Sequence, residues 1–118
     1  AGMPGVQTLL PLMLNHMADG KLSLAKLVFL TSYRARSLFN LADKGEVALG
    51  NHADLTFVDL AASRTIEEDW IASRCGWSPF TGKSVRGWPV GTMVRGQRVM
   101  WDGVLETPET GQPIAFDI

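Results

Sequence analysis

A change of periodicity near residue 44 constrains this chain of 118 residues more than any other feature. Upstream, apolar residues recur at helical spacing; downstream, they fall in short runs separated by glycines. The stretch Lys44-Gly45-Glu46-Val47-Ala48-Leu49-Gly50-Asn51-His52-Ala53-Asp54-Leu55-Thr56-Phe57-Val58-Asp59 lies at the switch. Two glycines able to take positive φ precede Leu55 and Phe57, so a strand is expected between Asp54 and Asp59. Helices followed by strands make an α+β order.

The opening Ala1-Gly2-Met3-Pro4-Gly5 lacks an initiator Met and runs directly into an apolar helix. That pattern is expected of a chain cut from something longer, within a loop. Val6, Leu9, Leu10, Met13 and Met17 recur at helical spacing, and Leu12 and Leu14 make the helix apolar on more than one side, so it asks for burial on several faces. Pro11 belongs in its first turn or at a kink. Asp19-Gly20 ends this helix. Ser23 is placed to cap a second helix carrying Leu24, Leu27, Val28 and Leu30. Thr31-Ser32 is expected to break the run, with Ser32 capping a third short helix that holds Ala35, Leu38, Phe39 and Leu41.

After Asp59, Thr65-Ile66 and Trp70-Ile71 read as short strands separated by a solvated acidic turn, Glu67-Glu68-Asp69. Arg74 through Trp88 reads as a long loop, with Gly76, Pro79, Gly82 and Gly87. Val90–Arg95 and Arg98–Trp101 flank Gly96-Gln97, a glycine-first pair that suits a type II′ hairpin. Asp102-Gly103 is a second turn, Val104-Leu105 a last strand, and the tail from Thr107 is expected to be irregular.

The formal charge of −1 leaves no electrostatic footprint for nucleic acid or an anionic membrane. No apolar run approaches the roughly 18 to 20 residues of a membrane span, and a single cysteine, Cys75, excludes an internal disulfide. A cytoplasmic domain is the expectation. A zinc hydrolase needs three or four converging ligands, whereas this chain offers His16 and His52 without paired spacing. His16 reads as a histidine at a helix end and His52 as a turn residue. Cys75 has no neighbouring base. Gly82-Lys83-Ser84 fails as a phosphate loop because Trp77 stands where its first glycine is required. Trp70, Trp77, Trp88 and Trp101 read as packing residues, since no basic groove accompanies them.

The pattern Lys-Gly-x-Val-x-x-Gly-x-x-Ala-Asp-Leu-x-x-x-Asp, running from Lys44 to Asp59, resembles the segment by which metal-dependent amidohydrolases leave their (β/α)8 barrel for a small β-sandwich. Met3-Pro4-Gly5-Val6-Gln7-Thr8-Leu9-Leu10-Pro11-Leu12 resembles the Pro-Gly-x-Glu-Thr-x-x-Pro-Leu segment of bacterial dihydroorotases and allantoinases. Thr31-Ser32 with Ala35-Arg36-x-Leu-Phe resembles the helix that precedes the Lys-Gly motif in those enzymes. Ser78-Pro79-Phe80-x-Gly82, Gly87-x-Pro89 and Thr92-x-Val94-Arg95-Gly96-x-x-Val99 resemble their closing signature. Gln7 stands where many members have Glu, Asn40 where a helix-ending Gly is usual, His52 where Asp is common, and Tyr33-Arg34 where a proline lies nearby.

The resemblance implies an α+β fragment: residues 1–43 as the last helices of a TIM (β/α)8 barrel, and residues 44–118 as the C-terminal part of the β-sandwich with an irregular tail. It further implies the C-terminal portion of a bacterial dihydroorotase, a zinc-dependent cyclic amidohydrolase that interconverts N-carbamoyl-aspartate and dihydroorotate in pyrimidine synthesis. Alternatives are an allantoinase or dihydropyrimidinase segment, a noncatalytic dihydroorotase-like subunit, and a free-standing binding domain. The family's metal ligands and catalytic Asp all fall upstream of Ala1. Zinc is thus expected in the parent enzyme, and neither zinc nor activity in this segment alone. Met3, Pro4 and Gly5 would lie against the substrate ring, where a glycine permits close approach. The partners implied are the rest of the barrel, N-terminal sandwich strands and a small-molecule substrate, without nucleic acid or membrane; homo-oligomerisation is left open.

Overall fold

The computed structural model describes residues 2–106 and 111–117. Helix α1 spans Leu9–Ala18, α2 Leu24–Val28 and α3 Arg34–Phe39, with a π-helical segment, Phe29–Tyr33, joining the last two. Strands β1 (Leu55–Thr65), β2 (Ser84–Val94), β3 (Gln97–Trp101) and β4 (Val104–Leu105) form one sheet in that spatial order. The tail from Thr107 to Thr110 lies outside the described residues.

The chain divides into two compact units. One comprises residues 1–21 and 58–89, the other residues 22–57 and 90–118. Each draws on both sides of the periodicity switch.

In the first unit, Pro11, Leu14, Ile66, Val85 and Trp88 are buried apolar side chains. Helix α1 begins three residues later than Val6, after a turn, and Pro11 falls in its first turn, where a missing N–H costs nothing. It stops at a Schellman motif: Gly20, at φ 76°, donates to the Met17 carbonyl and Lys21 to the His16 carbonyl. Leu14 presses on Gly87 of β2. A Cβ there would lie 2.7 Å from the Leu14 Cβ, and the glycine's φ of +93° disfavours any other residue. Asn15 Oδ1 accepts the neighbouring Arg86 N–H at 3.0 Å. The segment read as a loop up to Trp88 is therefore strand from Ser84 onward. Gly87 is there to admit a helix, not to make a turn. Trp70 and Ile71 form no strand; Glu68–Trp70 is a 3-10 turn, and the Trp70 ring leans on Trp88 at 4.6 Å. Ile66 closes the base of this excursion, donating to the Lys83 carbonyl and accepting from the Gly82 N–H.

In the second unit, Ser23 caps α2 by accepting the Lys26 N–H at 3.1 Å, as the sequence predicts. Thr31-Ser32 does not break the helix. The Thr31 hydroxyl bonds back to the Leu27 carbonyl at 2.9 Å, and the backbone widens into the π segment and continues. Ser32 caps nothing, and α3 ends on Asn40 in the left-handed conformation. Gly45 then passes so close that a Cβ would lie 2.6 Å from the Arg36 Cβ, which accounts for the glycine of the Lys-Gly pair. The hairpin turn is Arg95-Gly96, both at positive φ, with Val94 opposite Gln97. It is a type I′ turn, one residue earlier than Gly96-Gln97. Asp102-Gly103 repeats the geometry before β4. Trp101 lies over Gly91, meets Phe57 edge-on at 5.3 Å and carries Arg98 above its ring.

Candidate functional site

The segment Met3-Pro4-Gly5 leads into α1 without regular secondary structure and is followed by a turn at residues 6–8. Gly5 is the fixed point of this loop. Its carbonyl accepts the Leu9 N–H at 3.1 Å and the Thr8 hydroxyl at 3.3 Å, and Thr8 is only 1% exposed. The opposite side of Gly5 is open, with no heavy atom within 4 Å of where a Cβ would stand. Met3 also projects into the open. A backbone held on one side and bare on the other can receive a flat ring at close range.

Gln7 ties the same loop to a distant segment. Its Nε2 donates to the Trp70 carbonyl at 2.6 Å, and its Oε1 accepts the Ala72 N–H at 2.9 Å. Sequence reasoning treats Gln7 as a departure from a more usual Glu and misses this role. The available signal is chemical: a carboxamide can donate and accept at once, whereas a carboxylate only accepts.

The other histidine-bearing region lies in the second unit. Asp54 accepts from the Lys44 ammonium and, at 2.7 Å, from the Arg95 N–H, while Arg95 Nη1 lies 3.2 Å from His52 Nε2. Burial pushes the Asp54 carboxyl up, but the Lys44 hydrogen bond, the Arg95 N–H and the charges of Lys44 and His52 outweigh it and hold the group below its ordinary value. The cluster fastens the Lys-Gly loop to the hairpin turn. Its charges are spent on one another. A polar hollow of about 370 Å³ nearby is lined by Tyr33, Arg36, Asn40, Glu46 and Asp117, with Arg36 and Glu46 paired across it.

Among the described residues no three His, Cys, Asp or Glu side chains gather into a group that could hold a metal ion. His16 sits in the last turn of α1 with Nδ1 buried and unpartnered, and His52 is engaged with Arg95. Cys75 is exposed, its thiol 3.8 Å from the Trp77 carbonyl. No described helix is long and apolar enough to cross a membrane.

Residues 5–99 match the model of the amidohydrolase family. A dihydroorotase from Halobacterium salinarum is 42% identical over 103 residues, which are 87% of this chain and 24% of that protein. One from Methanothermobacter thermautotrophicus is 38% identical over 106 residues, 89% of this chain and 25% of the relative. The fold is similar to that of an L-hydantoinase (dihydropyrimidinase) from Arthrobacter aurescens, with a TM-score of 0.85 and 36% identity over 90% of this chain and 24% of that one. The chain thus spans about a quarter of the length of the relatives it matches.

Proposed function

This chain belongs to the amidohydrolase family, and we propose that it is the C-terminal segment of a dihydroorotase-type hydrolase that interconverts N-carbamoyl-aspartate and dihydroorotate. The observation that carries this reading is the similarity to dihydroorotases across nearly nine-tenths of the chain. Residues 1–43 then supply the last helices of the catalytic barrel, and residues 44–118 the C-terminal part of the companion sandwich. The wide apolar exposure of α2, α3 and the Lys-Gly loop supports burial of these surfaces against other parts of a longer cytoplasmic polypeptide.

In the family that the resemblance points to, the residues that hold zinc lie upstream of this segment. What this chain would contribute is a lip of the pocket. Met3, Pro4 and Gly5 offer a backbone edge with an open face on which a planar cyclic amide can rest, and the anchored Gly5 carbonyl keeps that edge in place. Fixing the ring in one orientation contributes to the reaction by positioning.

A second reading, a dihydropyrimidinase segment, is favoured by the TM-score of 0.85 to the hydantoinase. The two readings share the ring amide and differ in the group carried on it. Turnover by the longer polypeptide that carries this chain, measured with dihydroorotate and with a hydantoin or dihydropyrimidine lacking the carboxylate, decides between them. Hydrolysis of dihydroorotate by the metal-loaded polypeptide is expected. Turnover of the uncharged rings alone would transfer the assignment to the second reading, and turnover of neither would overturn both.

A further inference from the structure

The Gln7 carboxamide bridges 63 residues of sequence to Trp70 and 65 to Ala72, using its donor and its acceptor on alternate residues of one backbone segment. That spacing repeats one rung pair of a β-ladder, made by a side chain in place of a strand. The segment it grips is itself held. Trp70 N–H donates to the Glu67 carbonyl, Ile71 N–H to the Glu68 carbonyl, and the Trp70 ring lies against the buried Trp88. At the other end, Gln7 is two residues from Gly5, whose carbonyl is held from within by Leu9 and Thr8. The loop is thus fixed at Gly5 by the helix it starts and at Gln7 by the 3-10 turn, and Met3-Pro4-Gly5 extends from these two anchors.

We propose that Gln7 is a positioning residue: its paired bonds to Trp70 and Ala72 set where the Met3–Gly5 edge stands against a cyclic amide substrate. This rests on the reading of that edge as the lip of the pocket. The carboxamide satisfies both backbone groups at once. A carboxylate at this place would still accept the Ala72 N–H but would turn a second acceptor toward the Trp70 carbonyl, and an aliphatic side chain would leave both backbone groups unpaired.

The test compares Gln7→Glu and Gln7→Leu with the unaltered sequence in the intact, metal-loaded polypeptide that carries this chain. Two readouts are used: amide-exchange protection at Ala72, and the separation of KM from kcat for dihydroorotate. Gln7→Leu is expected to lose protection at Ala72, Gln7→Glu to keep it while turning an acceptor toward the Trp70 carbonyl, and both to raise KM about tenfold, with kcat changed less than about twofold, as misplaced binding contacts do. Gln7→Glu, the milder change in shape, keeps the test open if Gln7→Leu fails to fold. An unchanged KM in a folded variant overturns the proposal, as does unchanged protection at Ala72 in Gln7→Leu, and in either case wild-type turnover leaves the functional reading standing. No turnover by the wild-type polypeptide overturns that reading and the proposal with it.

Discussion

At the scale of single residues, two positions carry testable energetics. Asp54 is held below its ordinary value, so the unfolded chain takes up a proton first as the pH falls, near pH 4. Its contribution is therefore complete above about pH 4 and lost as pH drops through the lower folded value. Asp54→Asn keeps an acceptor for the Arg95 N–H but releases Lys44. Because the pair is partly exposed, the expected loss is about 0.5 kcal/mol at neutral pH, smaller at high salt. Thermal midpoints of the two proteins should converge below about pH 4, and a gap that persists there would show that the charge is not the cause. Gly87 is the second position. Gly87→Ala forces a Cβ against Leu14 and onto a residue at φ +93°, and should cost about 2 to 3 kcal/mol, read as a lowered unfolding midpoint. The same change at Gly20, equally left-handed but with open space around it, should cost less. The ordering of the two variants is the check.

At the scale of elements, the sequence was most legible where local chemistry decides the structure. The Ser23 cap, the Asp19-Gly20 stop, the Asn40 terminus and the Asp102-Gly103 turn follow from side-chain oxygens and backbone freedom within a few residues. It was misleading where a distant partner decides. Gly87 looks like loop punctuation until α1 is seen to need the space, so half of β2 goes unread. Thr31-Ser32 looks like a break, but Thr31 satisfies its hydroxyl on Leu27 and the helix widens instead. In the hairpin the glycine is the second turn residue, and Arg95 carries the unfavourable first position at φ 51°. Of the proposed site, Met3-Pro4-Gly5 rests on resemblance, whereas the Gln7 clamp depends on a segment more than 60 residues away and has no local signal. The Arg95 strain yields a prediction. Arg95→Asn creates the Asn-Gly pair preferred in type I′ turns and should stabilise the hairpin by about 0.5 kcal/mol, reduced by loss of the contact with His52. A lower midpoint would mean that the His52 contact outweighs the turn.

At the scale of the whole chain, the apolar surface left uncovered is the dominant fact. Val47 is 91% exposed and Leu49 105%, in a loop whose backbone is nonetheless ordered by its own bonds, with Asn51 donating to the Glu46 carbonyl and His52 to the Asp43 carbonyl. Leu38 and Phe39 on α3 are each 60% exposed, and Val28, Leu30 and Tyr33 add to the same helical surface. Isolated apolar residues on a surface need no explanation, but a continuous helical run of them does. Strand β1 stands at an edge of the sheet, with Phe57 and Leu60 exposed. Residues 1–118 expressed alone should therefore self-associate as concentration rises, bind a dye that fluoresces on apolar surface, take up no stoichiometric zinc and hydrolyse no dihydroorotate. Sedimentation, dye fluorescence, elemental analysis and an activity assay read these four outcomes. A monodisperse monomer that melts cooperatively and leaves the dye dark would identify a free-standing domain. Stoichiometric zinc or measurable turnover by the chain alone would place catalytic machinery within it, and would require ligands that the described residues do not bring together.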